Sequence, residues 1–135
     1  MADEGKKKIL VVDDEPDAVE FVKTVMEEAG YDVVTAGNGN QGLAQARAEK
    51  PDLIVLDVQM PEKDGFSTFA DLQNDADLKA VPVVMLTGVA EKTGIAFSSK
   101  DMGGYFGAEP AAYVEKPVDP DLLSQTVARL LEPEE

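Results

Sequence analysis

At 135 residues the chain has the length of one domain, enough to bury most of its apolar surface in a single core. Its 27 acidic residues against 12 basic ones give a net charge of -15, a surface that a nucleic-acid duplex or an anionic membrane would repel. With no His and no Cys it holds no Ser-His triad, thiolate nucleophile, His/Cys zinc site or phosphohistidine, so covalent chemistry falls to a carboxylate, a hydroxyl or a lysine.

Residues 1–7 read as a flexible, solvated N-terminus whose basic cluster, Lys6 to Lys8, is too short for a nucleic-acid-binding arm. No apolar run of the signal-peptide or transmembrane kind occurs, so the expected setting is cytoplasmic, with no membrane and no direct nucleic-acid partner. Lys8 to Val12 is the first buried strand. It runs into Asp13, Asp14 and Glu15, and Pro16 suits the first helical position. A helix is expected from Pro16 to Ala29, stopped by Gly30, with Val19, Val22, Met26 and Ala29 on its inner face. Tyr31 to Ala36 is the second strand, and Asp32 places it near the sheet edge. A turn over Gly37 to Asn40 carries a candidate cap, and the Ala-rich stretch Gly42 to Lys50 is a helix stopped by Pro51.

Leu53 to Leu56 is an unbroken apolar run that ends in a carboxylate, Asp57, before the turn signals of Pro61 and Asp64-Gly65. A third helix follows Gly65 and turns Phe66, Phe69, Ala70 and Gln73 to one side. Val81 to Leu86 is the fourth strand, with Pro82 near its start and Thr87-Gly88 at its end. Gly103, Gly104, Gly107 and Pro110 break any long helix between residues 89 and 110, so a helix plus a loop is expected there. Ala111 to Val114 is a short fifth strand leading to Glu115, Lys116 and Pro117. Asp119-Pro120 caps a last helix carried by Leu122, Leu123, Thr126, Val127 and Leu130, and residues 132–135 form an acidic tail.

Alternation of this kind implies a three-layer α/β sandwich, with a five-stranded parallel sheet between helices on both faces. All carboxyl ends of such a sheet open on one side, which brings together Asp13, Asp14, Asp57, Thr87 and Lys116. Clustered carboxylates repel unless one is protonated or a cation intervenes, and hard oxygen donors suit Mg²⁺. A carboxylate can also be the nucleophile toward a phosphoryl group, with a metal and a lysine supplying positive charge and a hydroxyl a hydrogen bond. Taken singly, Asp13 or Asp14 could cap the helix at Pro16, Asp57 could mark a turn, Lys116 could be a surface lysine and Thr87 an ordinary strand end. Two adjacent acids exceed what a cap needs, and turn acids normally lie beside Gly rather than directly after four apolar strand residues.

The acidic pair of VVDDEP, the run DVQMPEKDG from Asp57 to Gly65, the Thr of MLTG and the Lys-Pro of YVEKP occur in this order at the strand ends. On these motifs the chain, from about Lys8 to Leu131, resembles the receiver domain of a two-component response regulator, CheY-like and stand-alone. The resemblance implies a flavodoxin-like strand order 2-1-3-4-5 over residues 8–131. It further implies that Asp57 accepts a phosphoryl group from the phosphohistidine of a sensor histidine kinase or phosphotransfer protein. Asp14, Asp57 and the backbone carbonyl of Gln59 would ligate Mg²⁺, with Asp13 acting through water. Lys116 would pair with the phosphoryl group, Thr87 would move toward it, and Tyr113 would be the switch aromatic that turns inward, signalling to a downstream protein effector. A cis Lys116-Pro117 peptide is also implied. Tyr113 as an ordinary packed strand aromatic is the plainer alternative.

The sequence departs from the family pattern in three places. Gly88 follows Thr87 where Ala is usual, and Gln59 and Val89 stand where the family sets the lifetime of the phosphoryl group. Thr87 and Lys116 are 29 positions apart, and the surplus length falls in Ala96 to Pro110, beside the surface on which such domains dimerise or dock. Phe97, Tyr105 and Phe106 either make a contact particular to this chain or pack the insertion on its own domain, and a homodimer stays open. Two competing readings are a Mg²⁺-dependent phosphohydrolase that uses an aspartyl-phosphate and a pseudo-receiver that binds without phosphorylation. Gln59, where such hydrolases usually place a second acid, counts against the first; the full set of phosphorylation residues counts against the second.

Overall fold

Strands that are apolar on both pleat faces need helices above and below them, and this requirement orders the whole chain. The computed structural model describes residues 6–58, 60, 64–88 and 110–131. Its elements are β1 (Lys8–Val12), α1 (Pro16–Glu28), β2 (Asp32–Ala36), α2 (Gly39–Glu49), β3 (Leu53–Asp57), α3 (Gly65–Gln73), β4 (Val83–Thr87), β5 (Ala112–Glu115) and α4 (Pro120–Leu131). All strand pairs are parallel, in the order β2-β1-β3-β4-β5. This is the expected three-layer α/β sandwich with the strand order that the resemblance implied. The helix and loop expected over residues 89–110, with Val89, Phe97, Tyr105 and Phe106, lie outside the described residues apart from Pro110, which is buried.

The pleat divides the core into two layers. Leu10, Val12, Ile54, Leu56, Val83 and Met85 face Leu43 and Ala46 of α2 and Phe69 and Leu72 of α3. The alternate residues Ile9, Val11, Leu53, Val55, Val84 and Leu86 face Val22 and Met26 of α1 and Leu123 and Val127 of α4. Every residue of β3 and of β4 is buried, as expected for strands covered on both faces, while β2 and β5 carry partly exposed residues as the two edges.

Element ends differ from the sequence reading for identifiable reasons. α2 starts at Gly39 rather than Gly42, because the Asn38 side chain accepts the N–H of Gln41 at 2.8 Å while the Gln41 side chain accepts that of Gly37 at 2.9 Å. Tyr31 lies outside β2, in the turn that closes α1, where its N–H donates to the Met26 carbonyl at 3.1 Å. β4 starts at Val83 because Pro82 has no N–H and the N–H of Val81 turns back to Leu78 at 3.0 Å. The inner face of α3 consists of Thr68, Phe69 and Leu72, with Phe66 only partly buried and Ala70 and Gln73 at its margin. Ala29, expected on the inner face of α1, is its exposed C-cap.

α4 shows how far periodicity alone can resolve a helix face. Leu122 is 49% exposed while its neighbour Leu123 is fully buried. Leu123→Ala is expected to cost about 2–5 kcal/mol, the range for emptying a packed leucine site, and Leu122→Ala no more than about 0.5 kcal/mol. Urea unfolding of the two variants checks this; equal losses would place both side chains in the core.

Candidate functional site

The ladder hydrogen bonds continue past three strand ends and hold the residues that follow. Asp13 donates its N–H to Ala36 at 3.1 Å, Val58 to Leu86 at 3.1 Å, and Lys116 to Thr87 at 2.6 Å. Pleat alternation then sets directions. Asp13 continues the row of Ile9 and Val11, Asp57 that of Leu53 and Val55, and Lys116 that of Val114, so all three point to the α1/α4 side. Thr87 continues the row of Val83 and Met85 to the opposite side, where Tyr113 also packs.

The Lys116 ammonium lies 2.6 Å from Oδ1 of Asp57 and 3.7 Å from Oδ2 of Asp13. Asp13 is 1% exposed and Asp57 3%, whereas Asp14 is exposed, and one oxygen from each carboxylate falls within 4.8 Å of the others. Burial, working against the hydrogen bond from Lys116 and together with the charge of Asp13, pushes the Asp57 carboxyl up from 3.8 to about 6. Burial likewise raises Asp13, against the N–H that Glu15 donates to its Oδ1 at 3.1 Å. Burial alone would lower Lys116, but the hydrogen bond and charge of Asp57, with Asp13 behind them, outweigh it and raise the ammonium above its ordinary value. Burial leads both carboxyl shifts, and the neighbouring acids add to it.

Neither Asp13 nor Asp14 caps α1. The N-cap is Glu15, which makes no side-chain cap bond, and Asp13 instead fixes the turn before it. Sequence reading did not single out Glu15, although the third acid before Pro16 was its signal; its charge also helps to raise Lys116. Thr87 is buried at the end of β4, in register with Glu115, and Tyr113 is partly buried in β5 against the α2/α3 layer. The Lys116-Pro117 peptide is cis. Gln59 lies outside the described residues.

A family model described as the response regulator receiver domain matches residues 9–128. The chain belongs to this family. The receiver domain is 36% identical over 124 residues to protein PilH of Pseudomonas aeruginosa, covering 92% of this chain and 97% of that one. It is 39% identical over 125 residues to the alkaline phosphatase synthesis transcriptional regulatory protein PhoP of Bacillus subtilis, where the match takes in 93% of this chain but 48% of the other. The fold is similar to that of chemotaxis protein CheY4 of Vibrio cholerae, with a TM-score of 0.80, 32% identity, and coverage of 94% and 100% of the two chains. Receiver domains are signalling domains of two-component systems rather than classical enzymes.

Receiver domains hold Mg²⁺ in an acidic pocket, and the residues of this one fit that ion. The donors are all hard oxygens, and Oδ2 of Asp13 is buried with no hydrogen-bond partner, an arrangement that a cation would satisfy. Among the described residues no helix is long and apolar enough to cross a membrane.

The raised Asp57 has a consequence for stability. A carboxyl that titrates near 6 folded and 3.8 unfolded binds its proton more tightly in the folded state, so ionising it costs stability above about pH 6, and the cost fades as pH falls toward about 4. At about 1.4 kcal/mol per pH unit the ceiling is about 3 kcal/mol. Asn at position 57 keeps an acceptor for Lys116 without the charge, so Asp57→Asn should raise stability by about 1–2 kcal/mol at pH 7.5 and by much less at pH 4.5. Urea unfolding of both proteins without divalent cations, followed by circular dichroism, reads the difference. A gain that persists unchanged at pH 4.5 rules out this titration as its cause.

Proposed function

We propose that Asp57 is the phosphoacceptor of this receiver domain, taking a phosphoryl group from the phosphohistidine of a sensor histidine kinase or phosphotransfer protein. The observation that carries this reading is the Lys116 ammonium held 2.6 Å from a buried Asp57, with two further carboxylates grouped around it. A carboxylate oxygen of Asp57 attacks phosphorus as the P–N bond breaks and its electron pair returns to the imidazole of the donor. Asp13, Asp14, Asp57 and the Gln59 carbonyl would hold Mg²⁺, which when bound neutralises the carboxylates and the phosphoryl oxygens. Lys116 keeps its place beside the new phosphoryl group, and the Thr87 hydroxyl supplies a hydrogen bond to it. Thr87 and Tyr113 share the α2/α3 side of the sheet, which supports their coupling as a switch read by a downstream protein effector. Beside Lys116, the side chains of Ala18, Phe21, Pro117 and Val118 line a shallow groove, with Phe21 43% exposed, an apolar foothold for a protein donor.

Incubation with Mg²⁺ and acetyl phosphate is expected to add one acid-stable, base-labile phosphoryl group to the wild type and none to Asp57→Asn, as read by intact-mass spectrometry. Lys116→Ala should slow the uptake by about 100-fold or more, because it removes the preorganised cation. Uptake that survives in Asp57→Asn would sink the assignment, and rapid turnover of unrelated phosphomonoesters would point to a hydrolase instead. Mg²⁺ at ten times its Kd should raise the unfolding free energy of the wild type by about 1.4 kcal/mol, and that of Asp57→Asn at the same concentration by clearly less.

A further inference from the structure

We infer that Gly65 is a positioning residue: the bare backbone of the first residue of α3 sets the placement of the Asp57–Val58 peptide, and through it the acceptor and the metal carboxylates. The inference rests on the reading of Asp57 given above. Val58 follows the last residue of β3 and Asp64 caps α3, and the two ends are tied by the Gly65 N–H donating to the Val58 carbonyl at 2.7 Å. A methyl group at Gly65 would fall on the carbonyl oxygen of Asp57 and 2.8 Å from Cα of Val58. Both of these are backbone atoms, which cannot swing aside as the end of a side chain does.

The helix side of this seam is also fixed. Asp64 caps α3 by accepting the Ser67 N–H at 2.8 Å, and its carbonyl accepts both the N–H and the hydroxyl of Thr68, at 3.0 and 2.9 Å, with Thr68 1% exposed. Phe69 and Leu72 then anchor the helix in the core. On the sheet side, Asp57 pairs in register with Leu86, and the N–H of Val58 donates to Leu86. A side chain at position 65 therefore has no soft neighbour to displace, and part of the shift must fall on the peptide that carries Asp57. Gly42 is a different case, since a methyl group there would meet side-chain atoms of Val12, from 3.0 Å, and not backbone. An active-site group displaced by about 1 Å can lose about 100-fold in rate, and disturbed supports of metal ligands typically cost about 10–100-fold in affinity.

The test compares the wild type, Gly65→Ala and Val127→Ala, the last a core truncation in α4 that leaves the β3–α3 seam untouched. Each is titrated with Mg²⁺ by NMR at a temperature where all three are folded, and its thermal midpoint is taken without metal. Gly65→Ala is expected to bind Mg²⁺ about tenfold or more weakly and to take up phosphoryl from acetyl phosphate correspondingly slowly. Val127→Ala is expected to lose thermal stability with its Mg²⁺ affinity unchanged. Wild-type affinity in a folded Gly65→Ala, whatever its stability, overturns the proposal. Should Gly65→Ala fail to fold, Asp64→Ala loosens the same seam by removing the helix cap, and is expected to weaken Mg²⁺ binding in the same direction; unchanged affinity there overturns the proposal equally. If the wild type binds Mg²⁺ but acquires no phosphoryl group at Asp57, the reading of Asp57 fails, and the role of Gly65 still stands or falls on the Mg²⁺ affinities.

Discussion

Lys116 lies between two carboxylates that are almost closed to solvent, 2.6 Å from Asp57 and 3.7 Å from Asp13. Such a pair is costly to build, because each charge must leave water, and the attraction restores what was lost only where geometry and further hydrogen bonds are good. With Asp14 the cluster sets three carboxylates against one ammonium, an excess of two negative charges when all are ionised. Asp57 and Asp13 are raised first by their burial, and the neighbouring acids of that excess add to the shift. A divalent cation matches the excess, which makes the chemistry of the pocket and its electrostatic deficit two views of the same arrangement. A phosphoryl group, which carries about -1.5 to -2 charge near neutral pH, would increase the demand for positive charge at the same point.

Strand order decides which cation can meet that demand from within the chain. β5 lies two strands away from β3, with β4 between them, so Lys116 must reach across the end of β4 to touch Asp57. Adjacent strands are separated by about 4.8 Å, and the span is one for a long, flexible side chain that ends in a compact charge. The backbone of Lys116 is tied to β4 by its hydrogen bond to Thr87, so the reach starts from a fixed root. The residue after Thr87 is Gly88, without a side chain to compete for the space at this strand end. Asp13 needs no such reach, because β1 neighbours β3 directly.

The fold and the members of the site were legible where the chemistry is local to a strand end. A run such as Leu53 to Leu56, short and bounded by turn signals, reads as a doubly covered strand, and an acid directly after it then falls at the sheet's carboxyl edge. Which of two adjacent acids turns inward was not legible, because the answer depends on pleat phase: Asp13 is buried and Asp14 exposed. Helix faces were read too broadly at Ala29 and Leu122, and for α3 out of phase. Periodicity gives an apolar arc, but neighbouring elements decide which edge of it they cover. The start of α2 was missed because two short polar side chains, Asn38 and Gln41, set it through reciprocal bonds that no hydrophobic pattern records. Gly65 read as turn punctuation; its contact with the Asp57 backbone exists only once α3 folds back on β3.

Placing the acceptor on β3 has a mechanical consequence. Every residue of that strand is buried and it pairs on both sides, so a change of charge at Asp57 meets a wall that cannot yield. β5 is an edge strand with only one buried residue, and Lys116 after it is about one-third exposed along its side chain. Segments with few buried contacts are the ones that open and shift at low cost. On the proposed reading, displacement caused by a phosphoryl group is therefore borne by the β4–β5 side, where Thr87 and Tyr113 share one face and Lys116 holds the other. A rigid central strand that carries the chemistry beside a softer edge that carries the response is an arrangement in which a single local charge can be read at the surface.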